Sequence, residues 1–313
     1  MTIADCRLPI TDPRLIGEGA WAWRLSAALG RRQLTRLAAA GLPAQLHRPL
    51  EFLLTRELSA TDQQVLDRVE ALRDALASRE GDTDVFDDPR VVPPPARAAR
   101  ADEPPPSRRS MAETARVTSV PAVWGMFLHL CAESRGARTI LELGSGAGIS
   151  GCYLGTASSC CRFITVEGSV ERARLAETHL RQLVGHAELI VNSFQSALDA
   201  LLPTLGDGLD LVFIDGNKIR GGYVDLINRL APRLNPGAVV ILDDIQWTDL
   251  RADWRALCAR RGFAFAINTG RFGVCVWEGG DRRPRAEVLF SIAGLDLYGL
   301  RRDLAARLNR RRT

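Results

Sequence analysis

Leu141-Glu142-Leu143-Gly144-Ser145-Gly146-Ala147-Gly148-Ile149-Ser150-Gly151 decides the fold of this chain. An apolar run, Arg138–Leu143, enters a glycine cluster, and an apolar helical pattern, Ile149–Ala157, leaves it at once. A strand that turns directly into a helix gathers free backbone N–H groups at one point, because the first helical turn leaves its amides unpaired. Glycines let the turn be tight and let a ligand approach where a Cβ would exclude it. Gly146-Ala-Gly148-Ile-Ser-Gly151 also fits a general dinucleotide fingerprint, which alone would suit a dehydrogenase. Two features count against that reading. The turn begins earlier, at Gly144, with Glu142 just inside the strand, and later strand ends carry carboxylates that hydride transfer does not require.

Outward from this loop, residues 111–280 alternate strand and helix. Helices are expected at Val123–Cys131, Ile149–Ala157, Glu171–Leu183, Ser196–Leu202, Tyr223–Leu234 and Asp249–Arg260. Strands are expected at Arg138–Leu143, Phe163–Val166, Glu188–Val191, Leu209–Ile214 and Ala238–Leu242. Two closing runs, Phe263–Asn268 and Gly273–Trp277, are joined by a Thr-Gly turn. The fold class is therefore α/β, a doubly wound, mainly parallel seven-stranded sheet whose final hairpin lies at or near one edge. Such sheets bind ligands at the carboxyl ends of their strands.

The remainder divides into three. Residues 1–79 form an N-terminal helical region in which Leu25–Leu46 and Thr61–Leu76 make a helical hairpin, with Ser59 or Thr61 as the cap of the second helix. Residues 80–110 form a Pro/Arg-rich linker with proline triplets at Pro93–Pro95 and Pro104–Pro106, read as a spacer rather than a peptide-domain ligand. Residues 281–313 form a C-terminal helical tail.

Bulk properties exclude some classes. No apolar run approaches the roughly 20 residues that cross a bilayer, and Met1–Leu8 lacks a signal-peptide pattern, so a cytoplasmic location without membrane partners is expected. The net charge is +4, but every basic residue except Lys218 is arginine, a skew that weakens any nucleic-acid argument from charge. The Arg310–Arg312 run reads as a solvated tail. Seven cysteines without a C-x-x-C spacing give no zinc site.

The strand ends carry the chemistry. Glu167, about 20 residues past the glycines, suits ribose hydroxyls, the alternative being an exposed strand-end carboxylate. Asp215 ends the fourth strand and is followed by Gly216-Asn217-Lys218, while Asp243-Asp244 ends the fifth. Three carboxylates at one edge repel and raise one another's pKa, which a hard divalent cation such as Mg²⁺ would resolve. Alternatively, only some of them face inward and pair with arginines or helix N-termini. Lys218 stands alone in an arginine-rich chain, and a partly buried lysine can lose its proton whereas arginine cannot.

Leu-Glu-Leu-Gly-Ser-Gly-Ala-Gly and Val-Glu-Gly resemble the first motif and the second-strand end of class I S-adenosylmethionine-dependent methyltransferases, with their Rossmann-like sheet. That resemblance covers about half the chain. It implies that Glu142, Gly144, Ser145, Gly146 and Ser150 surround the methionine part of S-adenosyl-L-methionine, with Glu167 on the ribose and Ser193, Phe194 and Gln195 near the adenine. Phe194 reads equally well as core. Asp215 is shared between donor and acceptor.

Asp-x-x-Lys with the acidic pair is similar to the cation-dependent O-methyltransferases of the catechol and caffeoyl-CoA type. By position this implies Asp215, Asp243 and Asp244 as metal ligands and Lys218 as base, with Asp215 beside it in the catalytic pair. Asp244 stands where that group has asparagine. Trp247 would wall the acceptor pocket or simply pack. The expected function is O-methylation of a small hydroxylated, phenolic or natural-product acceptor, with divalent-metal assistance. The partner is thus a small molecule rather than nucleic acid, and the helical region leaves room for a homodimer. Methyl transfer to RNA or protein, or a non-catalytic donor-binding scaffold, are the competing readings.

Overall fold

The structure, a computed structural model, describes residues 20–85 and 107–289. Both proline triplets, the Arg310–Arg312 run and all but the first residues of the expected C-terminal tail lie outside them.

Three helices open the described chain: α1 (Ala20–Ala39), α2 (Ala44–Thr55) and α3 (Ala60–Ala77). The single helix expected at Leu25–Leu46 is two, because Pro43 disfavours helical backbone at Leu42 and starts α2 afresh. At α3 the cap is Ser59. Its side chain accepts from Asp62 N at 3.2 Å, and its own N–H donates to Asp62 Oδ2 at 3.1 Å, a reciprocal capping box. Next come β1 (Asp82–Val85) and β2 (Ser107–Ser110), an antiparallel pair. The two ends of the expected linker are therefore ordered as a ribbon.

From α4 (Ala122–Arg135) onward, the alternation follows the sequence pattern: β3 (Thr139–Leu143), α5 (Ile149–Gly155), β4 (Arg162–Glu167), α6 (Val170–Leu183), β5 (Ala187–Val191), α7 (Phe194–Leu201), β6 (Leu209–Ile214), α8 (Gly222–Leu230), β7 (Leu234–Leu242), α9 (Arg251–Leu257), β8 (Phe263–Asn268), β9 (Gly273–Trp277) and β10 (Arg285–Val288). The sheet order is β10-β8-β9-β7-β6-β3-β4-β5, and β9 alone runs antiparallel to its neighbours. The sheet has eight strands rather than seven. The eighth is β10, formed where a helical tail was expected, and it supplies backbone partners to β8, which would otherwise present an open edge.

Period-two alternation sends side chains to two apolar layers. Ile140, Phe213, Val239 and Ile241 face one layer with α4, α5, α6 and the N-terminal helices. Leu141, Val212, Ile214, Val240 and Leu242 face the other with α7, α8 and α9. The N-terminal helices belong to the first layer outright: Leu46, Leu50, Phe52 and Leu53 share one core with Phe127, Leu130 and Phe213. Each such side chain contributes about 1.5–3 kcal/mol by leaving water. A polar seam locks the same contact. Tyr153 donates to Glu70 at 2.7 Å, and Arg73 donates to the carbonyls of Ala115 (2.9 Å) and Val120 (2.5 Å).

Candidate active site

The parallel strands end at one rim, where the expected residues gather in two groups. The first surrounds the glycine turn between β3 and α5. Gly144 has φ +108° and Gly146 φ +53°, the left-handed half of backbone space that side chains resist. A Cβ on Gly144 would lie 2.3 Å from the Asp215 carbonyl oxygen, so the turn presses on the end of β6 and no larger residue fits. A Cβ on Gly146 would meet nothing within 4 Å, so the space beside it is open. Its N–H donates to Glu167 Oε2 at 2.8 Å, and Ser169 N donates to Glu167 Oε1 at 2.9 Å. The glycine turn and the β4 acid are therefore in direct contact.

Other residues of this group lie beneath the turn. Glu142 is wholly buried, and its Oε2 accepts from Thr165 at 2.6 Å; Thr165 in turn bonds Ser145. Burial pushes the Glu142 carboxyl up to about 7. Burial likewise raises Glu167, against the opposing pull of its backbone donors and Arg172. Ser150 is buried in the first turn of α5. Ser193 caps α7, accepting from Ser196 N at 3.2 Å, and Gln195 is exposed. The Phe194 ring lies where a Cβ on Gly216 would be, 2.6 Å away, and joins the second core layer while remaining half-buried. It reaches the rim and the core at once.

The second group holds Asp215, Lys218, Asp243 and Asp244. Lys218 Nζ lies 2.7 Å from Asp215 Oδ1, 2.6 Å from Asp244 Oδ2 and 3.5 Å from Asp243 Oδ2. Asn217 and Asp244 adopt left-handed backbone, φ +55° and +52°, a conformation that is costly for side chains other than glycine and turns both strand ends sharply into the site. Asp243 is anchored on both sides: its N–H donates to Ile214 O at 3.0 Å, and Tyr223 donates to its carbonyl at 2.7 Å. Trp247 lies with its ring centroid 4.9 Å from the Lys218 ammonium.

One residue of this cluster was absent from the sequence reading. Arg271 forms a bidentate pair with Asp243, Nε to Oδ1 at 2.7 Å and Nη2 to Oδ2 at 2.9 Å. It occupies the turn between β8 and β9. Because β8 runs parallel to the main strands, that turn falls on their carboxyl rim, which was the available signal. Tyr223, and Asp253 with its bonds to Gly221 N (2.7 Å) and Tyr223 N (3.0 Å), likewise went unmarked.

These contacts set the charges. Burial alone would lower Lys218, but Asp215, Asp243 and Asp244 together hold it well above its ordinary value, so it is a firm ammonium. The lowered lysine pKa expected from burial is thus reversed by its neighbours. Burial, with Asp243 and Asp244, pushes Asp215 up to about 6 despite Lys218. Burial acts on Asp243 in the same sense, but Arg271 and Lys218 outweigh it and hold that carboxyl far below the usual range.

A divalent cation does not fit this arrangement. The acids converge on an ammonium, and both Asp243 oxygens are already engaged by Arg271. Among the described residues, no group of three or more His, Cys, Asp or Glu is disposed to hold a metal ion.

Known proteins resemble the part of the chain that builds this rim. A methyltransferase-domain family model matches residues 141–245, from the strand before the glycine turn to just past the acidic pair. The catechol O-methyltransferase of Mycobacterium tuberculosis is 36% identical over 168 residues, 52% of this chain and 71% of that protein. The chain belongs to the class I S-adenosylmethionine-dependent O-methyltransferases. An O-methyltransferase from Bacillus cereus solved with SAH shares the fold of this methyltransferase at 20% identity and a TM-score of 0.51, over 70% of this chain and 98% of its own. S-adenosylmethionine is the donor of that family, and at the glycine turn the space beside Gly146 is open next to the Glu167 carboxylate. No helix among the described residues of the methyltransferase is long and apolar enough to cross a membrane.

Proposed function

We propose that the enzyme methylates a hydroxyl of a small phenolic acceptor, with Asp215 and Lys218 at the reacting oxygen. One juxtaposition carries this: the Lys218 ammonium, flanked by Asp215 and Asp244 and lying 4.9 Å from the Trp247 ring centroid, stands on the rim that holds the glycine turn. When bound, the donor supplies a methyl group on a positively charged sulfur. Asp215 accepts the hydroxyl proton, since a carboxylate near 6 is unprotonated at neutral pH yet basic enough to share it. Lys218 keeps its own proton and stabilises the oxyanion that results. Trp247 gives a flat acceptor an apolar wall. Gly144, pressed on the Asp215 carbonyl, ties the position of the donor loop to the position of the base, and much of the acceleration comes from that fixed geometry.

The reading differs from the sequence expectation in giving the proton to Asp215, because three acids keep Lys218 charged. Divalent-metal assistance is not part of it, since a metal would have to displace Lys218 from Asp215 and Asp244.

The test is a methyl-transfer screen over catechols, simple phenols, RNA and protein, with and without Mg²⁺. Transfer to phenols is expected, with Asp215→Asn slowing turnover by about 10²–10⁴-fold. Transfer confined to RNA or protein would defeat the proposal.

A further inference from the structure

We propose that Arg271 is the resident counter-cation of the acid cluster, holding on Asp243 the place a divalent ion would need, so that the chain's own side chains balance the acceptor site. For acceptor chemistry this rests on the function proposed above; for the cluster itself it does not.

Asp243 is 1% exposed, a position where an unpaired carboxylate is strongly disfavoured and needs a partner that also satisfies its lone pairs. Arg271 is such a partner. Its planar fork covers both Asp243 oxygens, and a guanidinium does not give up its charge in a protein. Mg²⁺, by contrast, requires near-octahedral oxygen ligands that are free to approach it.

The arginine is built in rather than draped over the site. Its turn is closed by Thr269 N donating to Phe272 O at 2.9 Å, Phe272 N to Thr269 Oγ1 at 3.2 Å and Gly270 N to Asn268 Oδ1 at 2.7 Å. The next residue, Phe272, is fully buried, with its ring centroid 4.8 Å from Trp124 and 5.6 Å from Phe213. Ile245 N donates to the Arg271 carbonyl at 3.3 Å, tying the turn to the segment that follows the acidic pair. The turn thus fixes the base of the arginine, and rotating its guanidinium off Asp243 would leave a 1%-exposed carboxylate without its two donors. With Lys218 as the second cation, three carboxylates face two fixed positive charges. One negative charge remains, enough to accept a proton from a substrate and too little to demand a metal.

The experiment is Mn²⁺ titration of the full chain followed by electron paramagnetic resonance, which counts free Mn²⁺ and needs no turnover. Wild type is expected to leave the free signal undiminished. Arg271→Ala is expected to bind one Mn²⁺ at least about tenfold more tightly, and Arg271→Ala with Asp244→Asn to lose that binding. Circular dichroism checks each fold. Should Arg271→Ala not fold, Arg271→Lys takes its place: a single ammonium cannot cover both oxygens, and weak Mn²⁺ binding is expected where wild type has none. Stoichiometric Mn²⁺ uptake by wild type that Asp243→Asn abolishes would overturn the proposal, as would a folded Arg271 variant that binds no more Mn²⁺ than wild type. A parallel methyl-transfer assay with chelator keeps the two claims apart. Absence of transfer to any phenol counts against the acceptor reading alone, whereas the Mn²⁺ signal decides the role of Arg271.

Discussion

Replacing Lys218 by methionine removes the cation at the centre of the acid cluster while keeping most of the side chain's volume. Its ammonium lies 2.6 Å from Asp244 and 2.7 Å from Asp215. At an effective dielectric near 20, each contact is worth roughly 6 kcal/mol of direct attraction. Most of that is offset by the water all three groups give up, and removing one partner of a buried pair costs about 3–5 kcal/mol in practice. Because Lys218 retains 19% side-chain exposure, the lower end, about 3 kcal/mol, is expected at pH 8. The loss should shrink in acid. Asp215 already stands at about 6 in the folded enzyme, above its unfolded value, and losing the ammonium raises it further. A folded pKa above the unfolded one favours folding at low pH, and that contribution disappears as pH rises through the folded value. At pH 5 the variant's acids take up protons in the folded state, so the deficit should fall to about 1–2 kcal/mol. Urea unfolding of both proteins at pH 8 and pH 5, followed by circular dichroism, measures the difference. An equal deficit at the two pH values would refute the charge accounting.

Other consequences can be measured separately. Gly146→Ala should fold with a loss of about 1 kcal/mol from its positive φ and weaken donor binding in calorimetry, whereas Gly144→Ala, forced against the Asp215 carbonyl, should lose several-fold more stability in the same melts. Glu142→Gln should stabilise the fold above pH 7, because the Glu142 carboxyl, at about 7 when folded, costs roughly 3 kcal/mol to ionise there; the gain should vanish near pH 4 in thermal melts. Turnover should decline below about pH 6 as Asp215 protonates, a limb that a pH–rate profile would show and that Asp215→Asn should erase. Ser59→Ala should cost about 1 kcal/mol by removing the α3 cap, read from the urea midpoint.

Most of the sheet was legible because its strands and helices carry different hydrophobic periods; β6, β8 and β9 begin and end where the pattern does. The missed strand, β10, reads Arg-Ala-Glu-Val, short and polar, and exists because a sheet edge needs backbone partners rather than because its residues seek a core. Of the acid cluster, the members at strand ends were visible, since strand order brings Asp215 and Asp243 together whatever their rotamers. Their protonation was not, because it depends on Arg271, a residue 28 positions from Asp243 whose fork geometry appears only once the last hairpin folds back. Nor could the pattern tell that Ser145 and Glu142 lie under the glycine turn, bonded through Thr165, because period alone does not measure depth.

The small ribbon of β1 and β2 fixes where the chain crosses from the first helices to the sheet. Val85 pairs with Ser107, so the chain leaves and re-enters the body at neighbouring points. How closely the first helices approach the sheet is therefore set by this pairing and by the core they share with the sheet, not by the length of a tether.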